Sequence, residues 1–432
     1  MTVRFEDLNS REGYDPKKET ANFGPLWHGG EWKLRDITNT MTTCAFFLLK
    51  HAAENREAWL KRFYAIGKEA VRPKKSGELW GYSLPNNPGF TEHRLESILE
   101  RAQVDVERSR DETPLISLAQ PYGSFAKAIL EERRYPDLRD SSGHPIAPYD
   151  VTAHTLPLLM GLNVKRISAP FKYKPLQIGF GWGSGGGAQM RNSANTALYQ
   201  SWVPANDEGW TRWILEIENR SFLTAHDRQI RTGDLAKQFR SIVIPDQPAR
   251  TILNGYRSGS MPPELTGGIG PEGVKALRQF VEDGGTLVFL NRASDFAIEQ
   301  FKLPLRNVVS GLPKTQFYVP GSILRLELDT TKPIAKGMPK ESIAWAEDSP
   351  VFEVVHDPNS SVPAANVHII GWYPRDKDPL LSGWLLGGER IKGKAALVEV
   401  TMGKGRIILF GFRPQYRAQS LATYPLFFNS LR

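Results

Sequence analysis

Three uninterrupted apolar runs constrain this chain more than anything else in it: Ser241-Ile242-Val243-Ile244-Pro245, Gly285-Thr286-Leu287-Val288-Phe289-Leu290 and Gly405-Arg406-Ile407-Ile408-Leu409-Phe410. A strand with water on one face alternates apolar and polar side chains. A short unbroken run instead predicts burial on both faces, the condition of a parallel sheet covered by helices. Ile178-Gly179-Phe180 reads as a fourth such run, and Pro271 to Asp283 predicts a helix whose trailing Gly284-Gly285 delivers the chain into a strand. Residues 166–432 are therefore expected to form an open, mostly parallel α/β sheet.

Upstream, apolar residues recur three and four apart from Leu34 to Gly67, through Ile37, Met41, Cys44, Leu48, Ala52, Trp59, Phe63 and Ile66. That spacing predicts one or two amphipathic helices, ended by Pro73-Lys74-Lys75-Ser76-Gly77. Residues 73–165 read as a small α/β unit. A strand is expected at Leu79 to Pro85, a helix from Thr91 toward Arg101, a second strand at Val104-Asp105-Val106-Glu107, and a further helix between Tyr122 and Glu132. A length of 432 residues accommodates such units, and 40% apolar with 24% charged residues can fill their cores.

The same sequence excludes several classes. No stretch approaches the roughly 18 apolar residues of a membrane span, and Arg4, Glu6 and Asp7 fall where the apolar part of a signal peptide would lie. The chain as written is expected in the cytoplasm. One cysteine, Cys44, rules out internal disulfides and cysteine-rich zinc modules. The net charge of +8 comes without strong clustering, since Arg72-Lys74-Lys75 is short and Glu131-Glu132-Arg133-Arg134 is mixed in sign, so no nucleic-acid partner is expected.

Chemistry-bearing residues fall into weak and stronger groups. His-x-x-Glu occurs at His28/Glu31, His51/Glu54 and His93/Glu96, and His154 could supply a third ligand, but such spacing also arises by chance on wet surfaces. Cys44 lies in the apolar side of a helical pattern, which predicts a buried packing thiol. Gly181-Trp182-Gly183-Ser184-Gly185-Gly186-Gly187 imitates a phosphate loop but lacks the Gly-Lys-Ser/Thr ending. Denser is the stretch with Trp202, Asp207, Glu208, Trp210, Arg212 and Trp213: either a binding surface, or a helix start that Asp207 caps and whose tryptophans fill the core. Arg413, Gln415 and Arg417 follow a buried strand, the place where open α/β sheets hold ligands, and the arginines suit an anion or a structural ion pair.

Longer segments carry a family resemblance. Trp27-His28-Gly29-Gly30-Glu31-Trp32-Lys33-Leu34-Arg35-Asp36, Ser117-Leu118-Ala119-Gln120-Pro121-Tyr122, Arg134-Tyr135-Pro136-Asp137-Leu138-Arg139-Asp140, Ser201-Trp202-Val203-Pro204 and Gly411-Phe412-Arg413-Pro414-Gln415-Tyr416-Arg417 resemble the long bacterial zinc carboxypeptidases. The resemblance implies a carboxypeptidase A-like domain followed by a domain similar to class I glutamine amidotransferases without its nucleophile. Residues 1–72 would be the last helix of the peptidase domain, 73–165 a connecting α/β unit and 166–432 the amidotransferase-like part. In that family the zinc ligands and the general-base glutamate precede the Gly-Gly-x-Trp segment, so no catalytic residue and no cofactor is expected in this chain, zinc belonging to the full-length family. The expectation is a noncatalytic accessory or substrate-binding piece, partnered by a separate catalytic domain, with peptide or glycan as ligand. The alternatives are a stand-alone peptide- or carbohydrate-binding protein and a divergent metallohydrolase. The full-length relatives so implied are usually exported.

Overall fold

The computed structural model describes residues 1–9, 15–19, 24–84, 89–171 and 195–432. The strand expected at Ile178–Phe180 and the glycine loop at Gly181–Gly187 lie outside the described residues. The fold is α/β, with a large mixed sheet, a small antiparallel sheet and a projecting helical arm.

The arm follows a short antiparallel pair, β1 (Thr2–Arg4) and β2 (Gly29–Glu31), and consists of α1 (Leu34–Glu54) and α2 (Arg56–Ala70). Its start is fixed by the Asp36 carboxylate, which accepts the Lys33 N–H at 2.8 Å. At the junction Asn55 N–H donates to the His51 carbonyl and Trp59 N–H to the Asn55 carbonyl, so helical hydrogen bonding continues through the bend. The expected helices are present, but neither buries a single residue. Phe46 and Phe47 are each 67% exposed and Phe63 is 79% exposed. Cys44 is exposed as well, which corrects the expectation of a packed thiol. Periodicity identifies a face that can pack; burial also requires a partner, and none is present among the described residues.

The next unit comprises β3 (Gly81–Ser83), α3 (Phe90–Arg101), β4 (Glu107–Arg108), β5 (Pro114–Ser117), α4 (Gly123–Leu130), α5 (Leu156–Met160) and β6 (Lys165–Ile167). Its strands lie in the order β4-β5-β3-β6, all antiparallel. The strand expected at Val104–Glu107 pairs only from Glu107 onward, although Val104 and Val106 are both buried. Tyr82, Leu95, Leu99 and Ile116 pack in one cluster with Ile323, Ile343, Trp345 and Tyr416 of the large sheet's side. The rings of Trp345 and Tyr416 stack at 3.6 Å between centroids. The two units thus share a core.

The large unit begins with β7 (Thr196–Tyr199), α6 (Asn206–Ile217), β8 (Leu223–Ala225), α7 (Asp227–Thr232), α8 (Leu235–Gln238), β9 (Ser241–Ile244), α9 (Ala249–Asn254), α10 (Gly270–Glu282), β10 (Thr286–Leu290) and α11 (Ala293–Phe301). It continues through β11 (Leu305–Asn307), β12 (Pro320–Leu328), β13 (Glu341–Glu347), β14 (Phe352–Val354), β15 (Val367–Trp372), β16 (Leu380–Ser382), β17 (Ala395–Met402), β18 (Gly405–Phe410) and α12 (Tyr424–Ser430). The main path runs β13-β12-β15-β17-β18-β10-β9-β7-β8, parallel from β18 to β8 and antiparallel on the other side. The three apolar runs are the neighbouring strands β9, β10 and β18. Leu287 and Phe289 of β10 enter the core formed with α10 and α11, while Val288 and Leu290 enter the core formed with α6 and α12. Burial on both faces is the reason these strands carry no polar alternation. Where α10 hands over to β10, a Cβ on Gly285 would sit 2.4 Å from the Phe280 ring, so only glycine permits this approach.

Candidate functional site

The parallel strands β7, β9, β10 and β18 end on one side of the sheet, and the residues just beyond them converge there. Asp246 follows β9, Asn291 and Arg292 follow β10, Arg413 and Gln415 follow β18, and α6 brings Asp207. Side chains at such strand ends face the crevice in which open α/β sheets hold ligands.

Arg413 organises the cluster. Its Nε donates to Asp207 Oδ2 at 2.9 Å, Nη2 to Asp246 Oδ2 at 2.9 Å and Nη1 to the Glu347 carbonyl at 2.8 Å, with Glu347 Oε2 3.1 Å away. Asp246 also accepts from Arg292, through its N–H at 2.9 Å, Nε at 3.0 Å and Nη2 at 2.7 Å. Burial acts to raise the Asp246 pKa, but the Arg292 hydrogen bond and the charges of Arg413 and Arg292 outweigh it and hold the carboxyl below its ordinary value. Asp207 is raised: burial dominates, and Arg413 offsets it only in part. Burial likewise raises Glu347. With its guanidinium engaged inside the protein, Arg413 serves as a buried counter-ion to three carboxylates. Gln415 is fully buried; its Nε2 donates to Asp207 Oδ1 at 3.2 Å and to Thr211 Oγ1 at 3.1 Å, and its Oε1 has no partner among the described residues.

The sharp turn from β10 into α11 places Asn291 at φ +52°, the strand-turn-helix setting in which many α/β enzymes display a nucleophile. Here the position carries an amide, which asparagine tolerates in left-handed backbone better than most residues. Asn291 Nδ2 donates to Asp246 Oδ1 at 3.1 Å and to the Glu347 carbonyl at 3.2 Å, while Ser349 Oγ donates to Asn291 Oδ1 at 2.6 Å. The turn is a structural knot joining β10 to the loop after β13, and it presents no nucleophile.

Two adjoining clefts open here, the smaller of them over this floor. The larger, about 700 Å³, is lined by Tyr199, Gln200, Pro204, Glu208, Trp210, Trp213 and Gln247, among others. The smaller, about 440 Å³, is lined by Asp207, Asp246, Arg292, Glu347 and Arg413; Trp210, Gln247 and Arg417 belong to both. Trp210 is 38% and Trp213 50% exposed, so they do not fill the core, and the first turn of α6 is capped by Ala205 without a side-chain bond, so Asp207 is not its cap. Trp202 stands outside both walls, stacked on His226 at 4.3 Å. Glu208 accepts from Arg212 Nε at 3.0 Å, and Arg212 lies over the Phe222 ring, away from the cleft. Arg417 pairs with Asp150 through Nη1 at 2.9 Å and Nη2 at 2.7 Å, tying the rim to the smaller unit.

Of the residues singled out from the sequence, the structure brings together Asp207, Glu208, Trp210, Arg413, Gln415 and Arg417. Sequence reasoning missed Asp246, Asn291, Arg292 and Glu347. A signal existed for the first three, because Asp246 and Asn291 are each the first polar residue after a buried apolar run and Arg292 is the next. The metal candidates are scattered. His28 packs on Phe5, Glu31 pairs with Lys33, His51 meets Trp59 edge-on, Glu54 pairs with Lys50, and His154 sits exposed near Asp150. Among the described residues no three His, Cys, Asp or Glu side chains gather into a ligand set, so zinc does not fit these residues.

The fold is that of an α/β protein with a crevice at its parallel strand ends. No family model matches the sequence, and no curated protein matches it. Among solved structures, a ThuA-like protein from Bacteroides uniformis aligns with a TM-score of 0.33 at 10% identity, covering 57% of this chain and 95% of that one. A GMP synthase component from Thermoplasma acidophilum gives 0.34 at 8% identity, covering 56% and 94%. A β-galactosidase from Bacillus circulans sp. alkalophilus gives 0.32 at 12% identity, covering 54% of this chain but 30% of that chain. Likenesses this remote carry no inference about activity.

Proposed function

We propose that the chain is a noncatalytic accessory part of a zinc carboxypeptidase-like protein and that its strand-end cleft binds peptide. The observation that carries the binding role is the wall of Trp210 and Trp213, half-exposed beside a cleft of about 700 Å³ that adjoins the smaller cleft floored by the ion network. Large aromatic faces left in water at a concave site are the usual anchors of binding. The floor, where three carboxylates face two guanidinium groups, favours an uncharged backbone over a free anion, and the amide at the β10 turn agrees with binding without turnover. The attachment to a separate peptidase domain is supported by the segments resembling that family and by α1, whose apolar residues stand in water as those of a helix taken from a larger core would.

Intrinsic tryptophan fluorescence tests this. Titration with a neutral, end-blocked tripeptide is expected to change the emission saturably, and Trp210→Ala to weaken binding at least tenfold with the circular dichroism unchanged. A response confined to oligosaccharides would replace peptide by glycan as the ligand. No response to either would refute the binding role.

A further inference from the structure

A third cleft, about 810 Å³, lies on the seam between the smaller unit and β12–β13 of the large sheet and shares no lining residue with the two strand-end clefts. Its volume is in the range of small-molecule sites. Much of the lining is apolar, including Leu158, Met160, Met338 and Leu421. Set into it are polar groups that the protein leaves unused. Tyr82 of β3 is 1% exposed, yet its hydroxyl has no hydrogen-bond partner among the described residues. Arg325 of β12 donates Nη1 to Glu341 at 3.2 Å, but its Nε is buried and likewise unpartnered. Arg166 of β6, exposed at the cleft, stands directly opposite Tyr82 in the strand register, hence on the same face.

The charges around Tyr82 favour an acceptor. Of the lining carboxylates, Glu131 is taken by Arg133 at 2.7 Å, Glu341 by Lys377 and Arg325, and Glu132 is exposed at the rim. Burial, followed by the nearby Glu131 charge, pushes the Tyr82 pKa up to about 12, so the hydroxyl keeps its proton at neutral pH and can donate. Unpaired buried donors cost stability unless something supplies an acceptor.

We infer that this seam is a second ligand site, taking a small organic carboxylate whose apolar body lies on the methionine and leucine floor and whose oxygens accept from Tyr82, Arg325 and Arg166. A free acyl chain and the carboxyl end of an apolar peptide share this chemistry.

Isothermal titration of the full chain with sodium octanoate, N-acetyl-leucine and 1-octanol tests the site. At least one carboxylate is expected to bind at least tenfold more tightly than octanol, and the tighter carboxylate names the source. Tyr82→Phe and Arg166→Gln are each expected to weaken that binding about tenfold, whereas Trp210→Ala leaves it unchanged. Tyr82→Phe also removes an unpaired buried hydroxyl, so its thermal midpoint is expected to be equal or higher, which separates lost binding from lost folding. Octanol binding as tightly as both carboxylates, the absence of heat with either, or unchanged affinity in either weakening variant would overturn the site.

Discussion

Arg413 and Asp295 show how differently two buried charges behave. Arg413 is 7% exposed and faces Asp207, Asp246 and Glu347, so truncating it removes the counter-ion of two largely buried carboxylates, Asp207 and Asp246. Arg413→Met is expected to cost about 3 to 5 kcal/mol in urea unfolding, the range for breaking a buried pair from one side. Among the described residues Asp295 has no cation. Burial raises its pKa from 3.8 to about 6, against the hydrogen bond from Asn307, whose Nδ2 lies 3.0 Å away. The folded protein therefore holds this proton more tightly than the unfolded chain does. Its stabilising contribution is complete at low pH and is lost as pH rises through about 6. Asp295→Asn is expected to stabilise the protein by about 2 to 3 kcal/mol at pH 8 and by little at pH 4, read from unfolding curves at the two pH values.

Helices α1 and α10 have the same kind of apolar period and opposite fates. Phe280 of α10 is 1% exposed beneath the sheet, while Phe47 of α1 is 67% exposed. Phe280→Ala is expected to cost about 3 to 5 kcal/mol. Phe47→Ser should change stability by less than about 0.5 kcal/mol, as at an unpacked surface position. Cys44 supplies an independent check: in the native chain it should react with a thiol reagent as fast as in urea, and strong protection would show that the arm packs against something. Among the strands, β9, β10 and β18 were legible because burial on both faces leaves an unbroken apolar run. The antiparallel strands β11 to β17 of the large sheet were not. In β12, Leu324, Leu326 and Leu328 are buried while Arg325 and Glu327 are only partly so, an alternation present in the sequence but interrupted by Gly321 and Ser322.

The units of this molecule are less separable than their sequence order suggests. Residues 73–167 form their own small sheet, but their core is closed by Ile323, Ile343, Trp345 and Tyr416 from far downstream. Expressed alone, that segment is expected to lack a cooperative thermal transition, and a sharp transition by circular dichroism would show that it folds independently. The candidate site has the same long-range character. The tryptophan-rich turn and the arginines after β18 stand out in the sequence because unusual residue types cluster there. The pairing of Arg413 with Asp207, 206 positions away, and with Asp246, 167 away, does not stand out, because nothing local records which strand ends meet. The α/β class, the three central strands and the helical periods follow from the sequence alone, since each reflects the local demand of a strand buried on two faces or a helix buried on one. Only the tertiary structure decided that Asn291 is locked in hydrogen bonds, that Arg413 is spent within the protein, and that the apolar arm stands in water. Those outcomes depend on what lies opposite a side chain, and chain order does not specify that neighbour.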